Sequence, residues 1–143
     1  DHPVFRRRHF FQGSDIVGAG AKDISWLAPS GREMTEREWQ QSFARCLGLF
    51  LAGNAIEEYD ECGRQIEDDT MIMLLNAHHE SIEFHLPAQP QHARWQVLID
   101  TSFTDGKRGD GRFFYSSGKY PLQARSVVLL VRLISPPPGR GTA

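Results

Sequence analysis

The run Met71-Ile72-Met73-Leu74-Leu75 is unbroken by any polar residue, too short for an ordinary helix, and bounded by polar residues on both sides. Such a run reads as a strand buried on both faces. Shortly after it the pattern changes to strict alternation, with Ile82, Phe84 and Leu86 set against Ser81, Glu83 and His85. That is a strand with one wet face. The link His78-His79-Glu80 is of hairpin length, so an inner strand is expected to turn directly into an outer one. A chain built around this pair is a β domain.

The flanking segments extend the pattern. Lys22 to Leu27 reads as a short strand with Ile24 and Trp26 on one inward face. Thr35 and Glu38 have capping-box spacing, so a brief helix starts at Glu36, carries Trp39 and Phe43, and ends near Ser42. Leu47, Leu49 and Leu51 alternate and Gly48 disfavours a helix, which gives a strand over Arg45 to Ala52. Residues 57–68 form an acidic loop. Arg94 to Asp100 is a strand with Trp95, Val97 and Ile99 inward, and Asp105 to Gly111 is a turn. The aromatic strand Phe113 to Tyr115 precedes a second turn at Gly118 to Pro121. Val127 to Val131 marks a central strand within Ala124 to Ile134, and Leu129 is expected to be one of its buried residues.

One short helix among many strands gives a mainly β fold, an antiparallel β-sandwich preceded by an extended lead-in. Residues 1–13 are the lead-in, 14–134 the sandwich and 135–143 a proline-rich disordered tail. Cutting the chain ahead of Asp15 is expected to leave the cooperativity of unfolding intact. The first residue is Asp and no signal peptide is evident, so the chain reads as starting inside something larger.

Composition removes several function classes. A net charge of -2 gives no reason to expect nucleic acid or an anionic membrane as partner. Arg6-Arg7-Arg8 reads as a solvated or salt-bridged edge. Two cysteines, Cys46 and Cys62, are too few for a disulfide framework and point to a reduced, cytoplasmic setting. Gly18-Ala19-Gly20 lacks the strand and helix of a dinucleotide loop. His78, His79, Glu80 and His85 form the most metal-like cluster, but adjacent histidines in extended chain diverge, which favours surface residues. The acidic loop lacks calcium-loop spacing and reads as solvated. It also lacks the rigid carboxylate pair of a glycosidase. Arg108-Gly109-Asp110 reads as a turn. Trp26, Trp39, Trp95 and Tyr115 could stack on sugar rings, although Trp26 and Trp95 fall at inward positions. No catalytic residue, metal ligand or cofactor site emerges.

One resemblance runs through nearly the whole chain. Its phrases are His2-Pro3-Val4-Phe5-Arg6-Arg7-Arg8, Phe10-Phe11-Gln12-Gly13, Lys22-Asp23-Ile24 and Gly31-Arg32-Glu33-Met34-Thr35. Asn76-Ala77-His78-His79-Glu80, Asp100-Thr101 and Ala124-Arg125-Ser126-Val127-Val128-Leu129 continue it. In this order and spacing the chain resembles the C-terminal β domain of bacterial glycogen debranching enzymes of the isoamylase type, in the α-amylase superfamily. The resemblance implies an upstream (β/α)8 catalytic barrel as partner, with glucan met through the parent enzyme. It implies a parent activity of hydrolysing α-1,6 branch linkages in glycogen-like glucans, with every catalytic carboxylate upstream and no cofactor. Phe5, Phe10 and Phe11 then become candidates for the barrel interface. A free-standing carbohydrate-binding module is the alternative, and a plain protein-interaction sandwich a third reading.

With no carboxylate pair of its own, the chain is expected to release no reducing ends from pullulan or a limit dextrin above a buffer blank. Release that survived mutation of the acidic loop would contradict this.

Overall fold

The computed structural model describes residues 2–13, 22–41, 45–89, 93–107 and 112–134. The loop at 14–21, the helix end near Ser42, Arg108-Gly109-Asp110 and the tail lie outside the described residues. A 3-10 turn, Pro3–Phe5, opens the lead-in. It is followed by β1 (Ile24–Leu27), α1 (Glu36–Trp39), β2 (Cys46–Leu51), β3 (Met71–Asn76) and β4 (Ile82–His85). Then come β5 (Ala93–Asp100), β6 (Phe113–Tyr115), β7 (Lys119–Leu122) and β8 (Ser126–Ile134). All pairings are antiparallel, in a six-stranded sheet of order β1-β2-β3-β8-β5-β6 and a two-stranded sheet β4-β7.

The two sheets meet over one core. Ile72, Leu74, Trp95, Val128 and Leu130 of the large sheet close on Phe84, Tyr120 and Leu122 of the small one. Gly48 makes room for this contact. A Cβ there would stand 2.8 Å from the Phe84 ring, so glycine lets the opposing aromatic reach the backbone of β2. Gly48 thus has a packing reason as well as a low helix propensity. The capping box forms as expected: Thr35 Oγ1 accepts from the Glu38 N–H at 3.3 Å, and Glu38 accepts from the Thr35 N–H at 2.8 Å. The helix itself closes after a single turn, with Gln40 as its C-cap.

Four expectations are corrected. First, β3 and β4 do not form a hairpin, because β3 pairs with β2 and β8 while β4 pairs with β7. The link between them is a corner from one sheet to the other. Buried Asn76 fastens it, donating to the Glu80 and Gln123 carbonyls at 2.9 and 3.0 Å and accepting from the His78 N–H at 2.9 Å. Second, Ile99 does not point inward. A bulge between Val97 and Ile99 reverses the alternation, so Ile99 is 46% exposed and Asp100 is buried. The Asp100 carboxylate accepts from the Tyr120 hydroxyl and, at 2.9 Å, from the Ser102 N–H.

Third, Trp26 lies on the outer face of β1, half-exposed and edge-on to Trp39 with ring centroids 5.6 Å apart. Trp95 is fully buried as expected. Fourth, Gly118 to Pro121 is not a turn. The chain reverses at Ser116 and Ser117, the latter with φ 63°, and Pro121 sits inside β7 opposite Glu83. A two-stranded sheet has only edge strands, where a residue without an N–H is tolerated.

The central position of β8 between β3 and β5 is as expected, but its fully buried residue is Leu130, while Leu129 lies partly exposed on the other face. Leu130→Ala is therefore expected to cost about 2–5 kcal/mol and Leu129→Ala clearly less. Chemical denaturation of the two variants checks the order, and a larger loss at Leu129 would contradict the facing of β8.

Candidate functional site

The segment from His2 to Gly13 is the place where this domain engages whatever lies beyond it, and its fixation begins with one apolar side chain. Val4 is fully buried with Ile24, Leu51, Ile56, Met71 and Val131, on the face of the large sheet turned away from the small sheet. The 3-10 turn around Val4 follows from Pro3 at its start, whose fixed φ suits a helical first position. Burying Val4 stabilises the fold by roughly 1.5–3 kcal/mol. Its place in the packing contradicts the expectation that a cut ahead of Asp15 would leave cooperative unfolding untouched.

Carboxylates on both sides then hold the backbone. Asp68 Oδ2 accepts from the Val4 N–H at 2.9 Å, and Asp68 Oδ1 lies 3.0 Å from His2 Nδ1. Glu58 accepts from the Arg8 N–H at 2.6 Å. Asp23, only 2% exposed, accepts from the N–H groups of Gln12 and Gly13 at 2.9 Å each and of Ile24 at 2.8 Å. Arg7 completes that cluster at 3.3 Å from Asp23 Oδ2, donates to the Ala55 carbonyl at 3.1 Å, and lies over the Phe11 ring. The middle arginine of the basic run is therefore a buried ion-pair partner rather than a solvated edge residue.

The acidic loop changes meaning in the same way. Glu58 and Asp68 are withdrawn from solvent to grip the lead-in, and Asp60 ties the loop to itself through the N–H groups of Cys62 and Arg64 at 2.8 and 2.9 Å. Gly53 seats the end of the loop, accepting from the Asp68 N–H at 3.0 Å. A Cβ on Gly53 would stand 1.8 Å from the Asp68 carbonyl oxygen. Burial alone would push the Asp68 carboxyl up, but the N–H groups of Val4 and Asp69 and the His2 ring together hold it below its ordinary 3.8. Sequence reading missed Val4, Arg7, Asp23, Glu58 and Asp68 as a set. The available signal was a lone small aliphatic residue and an arginine run facing an acidic loop of opposite charge.

The three aromatic candidates are not part of this packing. Phe5 is 44%, Phe10 98% and Phe11 39% exposed, on a segment whose intervening residues Arg7 and Gln12 are hydrogen-bonded into place. A rigid backbone thus carries rings that face solvent.

Metal and sugar chemistry find less support. His78 and His79 do not diverge as expected; their rings stack with centroids 4.2 Å apart, and Glu80 lies beside them. His78 Nδ1 already accepts from the Glu80 N–H at 3.1 Å, which leaves the triplet serving the corner. His2, Asp68 and Asp69 form a second grouping already engaged in holding Val4. Trp26 and Trp39 meet at 75°, which is no coplanar platform for a pyranose. A groove of about 220 Å³ between Pro29, Met34, Cys46, His78 and Ile82 has no Trp, Tyr or Phe in its wall. Burial raises the Cys46 thiol there to about 11, too high for a nucleophile at neutral pH.

Comparison with known proteins adds what the geometry lacks. The family model "Isoamylase, C-terminal" matches residues 23–131. Curated proteins described as "Glycogen operon protein GlgX homolog" from Mycobacterium bovis and from two strains of Mycobacterium tuberculosis are 43% identical over 103 residues. The aligned part is 71% of this chain and 14% of each relative, so the chain matches only a small part of those proteins.

Hydrogen bonds to the ionised form of Asp68 give the lead-in a defined acid sensitivity. A carboxyl held low in the folded state stabilises fully above its unfolded value and loses that contribution as pH falls through the folded value. The window therefore lies below pH 3.8. The Val4 amide resonance is expected to titrate there, and the step to vanish in Asp68→Asn. A midpoint at or above the ordinary carboxyl value would contradict the assignment.

Proposed function

The chain belongs to the isoamylase C-terminal family, and from that membership we propose that it is the accessory sandwich of a glycogen debranching glycosidase. In this reading it packs on a catalytic (β/α)8 barrel carried by another part of the same polypeptide and stabilises it. The parent enzyme hydrolyses α-1,6 branch linkages in glycogen-like glucans, with the nucleophile and the acid/base carboxylates on that barrel. The domain contributes structure and no catalytic group. The observation that carries this reading is the clamped lead-in. A segment with Val4 fully buried and Arg7 paired to Asp23 holds Phe10 almost wholly in solvent, as a junction with a second body requires.

Phe5, Phe10 and Phe11 are the residues assigned to that junction. Rings at protein interfaces contribute most when they are rigid and become fully covered. The free thiols of Cys46 and Cys62, the second of them exposed, fit a reducing cytoplasmic compartment. Among the described residues no helix is long and apolar enough to cross a membrane. The free-standing glucan-binding alternative is disfavoured by the crossed planes of Trp26 and Trp39.

The test separates the domain from the barrel. A debranching enzyme lacking this domain is expected to lose activity faster on heating, and adding the chain in trans to lengthen its half-life on a branched glucan. Phe10→Ser is expected to weaken the rescue about tenfold, a loss of about 1.4 kcal/mol in association. No rescue by the wild-type chain would sink the accessory reading. Retention of the isolated chain on glycogen beads would favour the binding module.

A further inference from the structure

The strands of the large sheet are apolar on two faces, but the small sheet covers only one. On the other face, strand register aligns Trp26, Leu49, Met73, Leu129 and Ile99 in one row across β1, β2, β3, β8 and β5. At about 4.8 Å per strand the row spans about 19 Å and contains no charged or polar side chain. Trp26 is 37% and Ile99 46% exposed, and the three residues between them are partly exposed. Beside it, Leu75 and Val127 continue the same apolar surface. Contiguous apolar surface of this kind marks contact with another protein body.

The neighbouring row shows what covers such a surface. Ile24, Leu51, Met71 and Val131 lie in register one step along the strands and are buried beneath Val4 and Ile56. The lead-in therefore crosses this face, so the polypeptide that precedes it in a longer enzyme is delivered beside the uncovered row. The curated relatives are several times longer than the aligned segment, which is 14% of their length.

We propose that the outer face of the six-stranded sheet, centred on the row from Trp26 to Ile99, docks against the catalytic domain of the parent enzyme. This rests on the accessory-domain reading and moves the main contact from the lead-in aromatics to the sheet. Trp39, set edge-on against Trp26, extends the apolar rim at the β1 end. The lead-in acts as the fixed border of the interface, aligned by Asp23 and Asp68 before the two bodies meet.

Three methionines make the face readable without mutation, because peroxide oxidises a thioether only where solvent reaches it. Met73 lies on the proposed face, Met71 is fully buried beneath Val4, and Met34 lines the groove near His78. Oxidation of each is followed by peptide mass spectrometry in the isolated chain and in the full-length debranching enzyme that carries it. Met73 is expected to react at least fivefold more slowly in the full-length enzyme, while Met34 is unchanged and Met71 protected in both. Ile99→Glu, at a half-exposed position, is expected to restore Met73 oxidation in the full-length enzyme and to leave the isolated chain's melting unchanged. His85→Glu on the small sheet is expected to do neither.

Equal Met73 rates in the isolated chain and the full-length enzyme would overturn the proposal. If rescue in trans still occurs in that case, only the face is wrong; if rescue also fails, the accessory reading falls with it. Protection of Met73 that grows with concentration in the isolated chain, with a dimer in sedimentation, would assign the face to a second copy and equally overturn the proposal.

Discussion

A sheet of two strands cannot cover a sheet of six, and most of this structure answers that inequality. Phe84, Tyr120 and Leu122 protect the middle of the inner face, helped by Gly48, which brings β2 against the Phe84 ring. Nothing comparable lies over the outer face. There the burial is piecemeal: Val4 comes from the lead-in, Ile56 from the loop after β2, and Ile66 packs at their edge. Each of these pieces is a stretch of irregular chain, and irregular chain needs partners for its backbone groups. The acidic side chains Asp23, Glu58 and Asp68 supply them.

This explains why so many carboxylates serve as acceptors for backbone N–H groups instead of pairing with surface lysines. An ionised carboxylate makes hydrogen bonds about twice as strong as a neutral acceptor does. Asp23 gathers three N–H groups and the Arg7 guanidinium at one buried point. Removing a single partner from such a buried pair costs about 3–5 kcal/mol, because the remaining charge stays out of water. The arrangement fixes the path of the lead-in against the sheet.

The class of fold was legible in the sequence because it rests on period. The apolar runs at Met71 to Leu75 and Val127 to Val131 became the two adjoining central strands, and the Thr35–Glu38 spacing became a real capping box. What was not legible depends on distance along the chain. The link at His78 to Glu80 has the length of a hairpin, and only the pairing of β4 with β7 shows that it changes sheets. Pro121 has the look of a turn residue, and only an edge position admits it to a strand. Asp23 and Asp68 look like ordinary surface acids until the lead-in folds over them. The aromatic residues Phe5, Phe10 and Phe11 could be singled out, but the sequence alone carried no sign that a buried valine fixes the segment between them.

The bulge in β5 has a consequence for how the domain can vary in length. Two consecutive residues there, Leu98 and Ile99, are both turned from the inner core, and that single extra step lets Asp100 reach the Tyr120 hydroxyl. Because side chains alternate with a period of two, deleting one residue at this point would exchange the faces of everything between it and the next turn. A carboxylate would swing towards the open sheet surface and an isoleucine into the place of the buried acid. Loops elsewhere can gain or lose residues without touching the core. In β5 the count itself is a structural element, and homologues that keep the Asp100–Tyr120 pair must keep the odd residue with it.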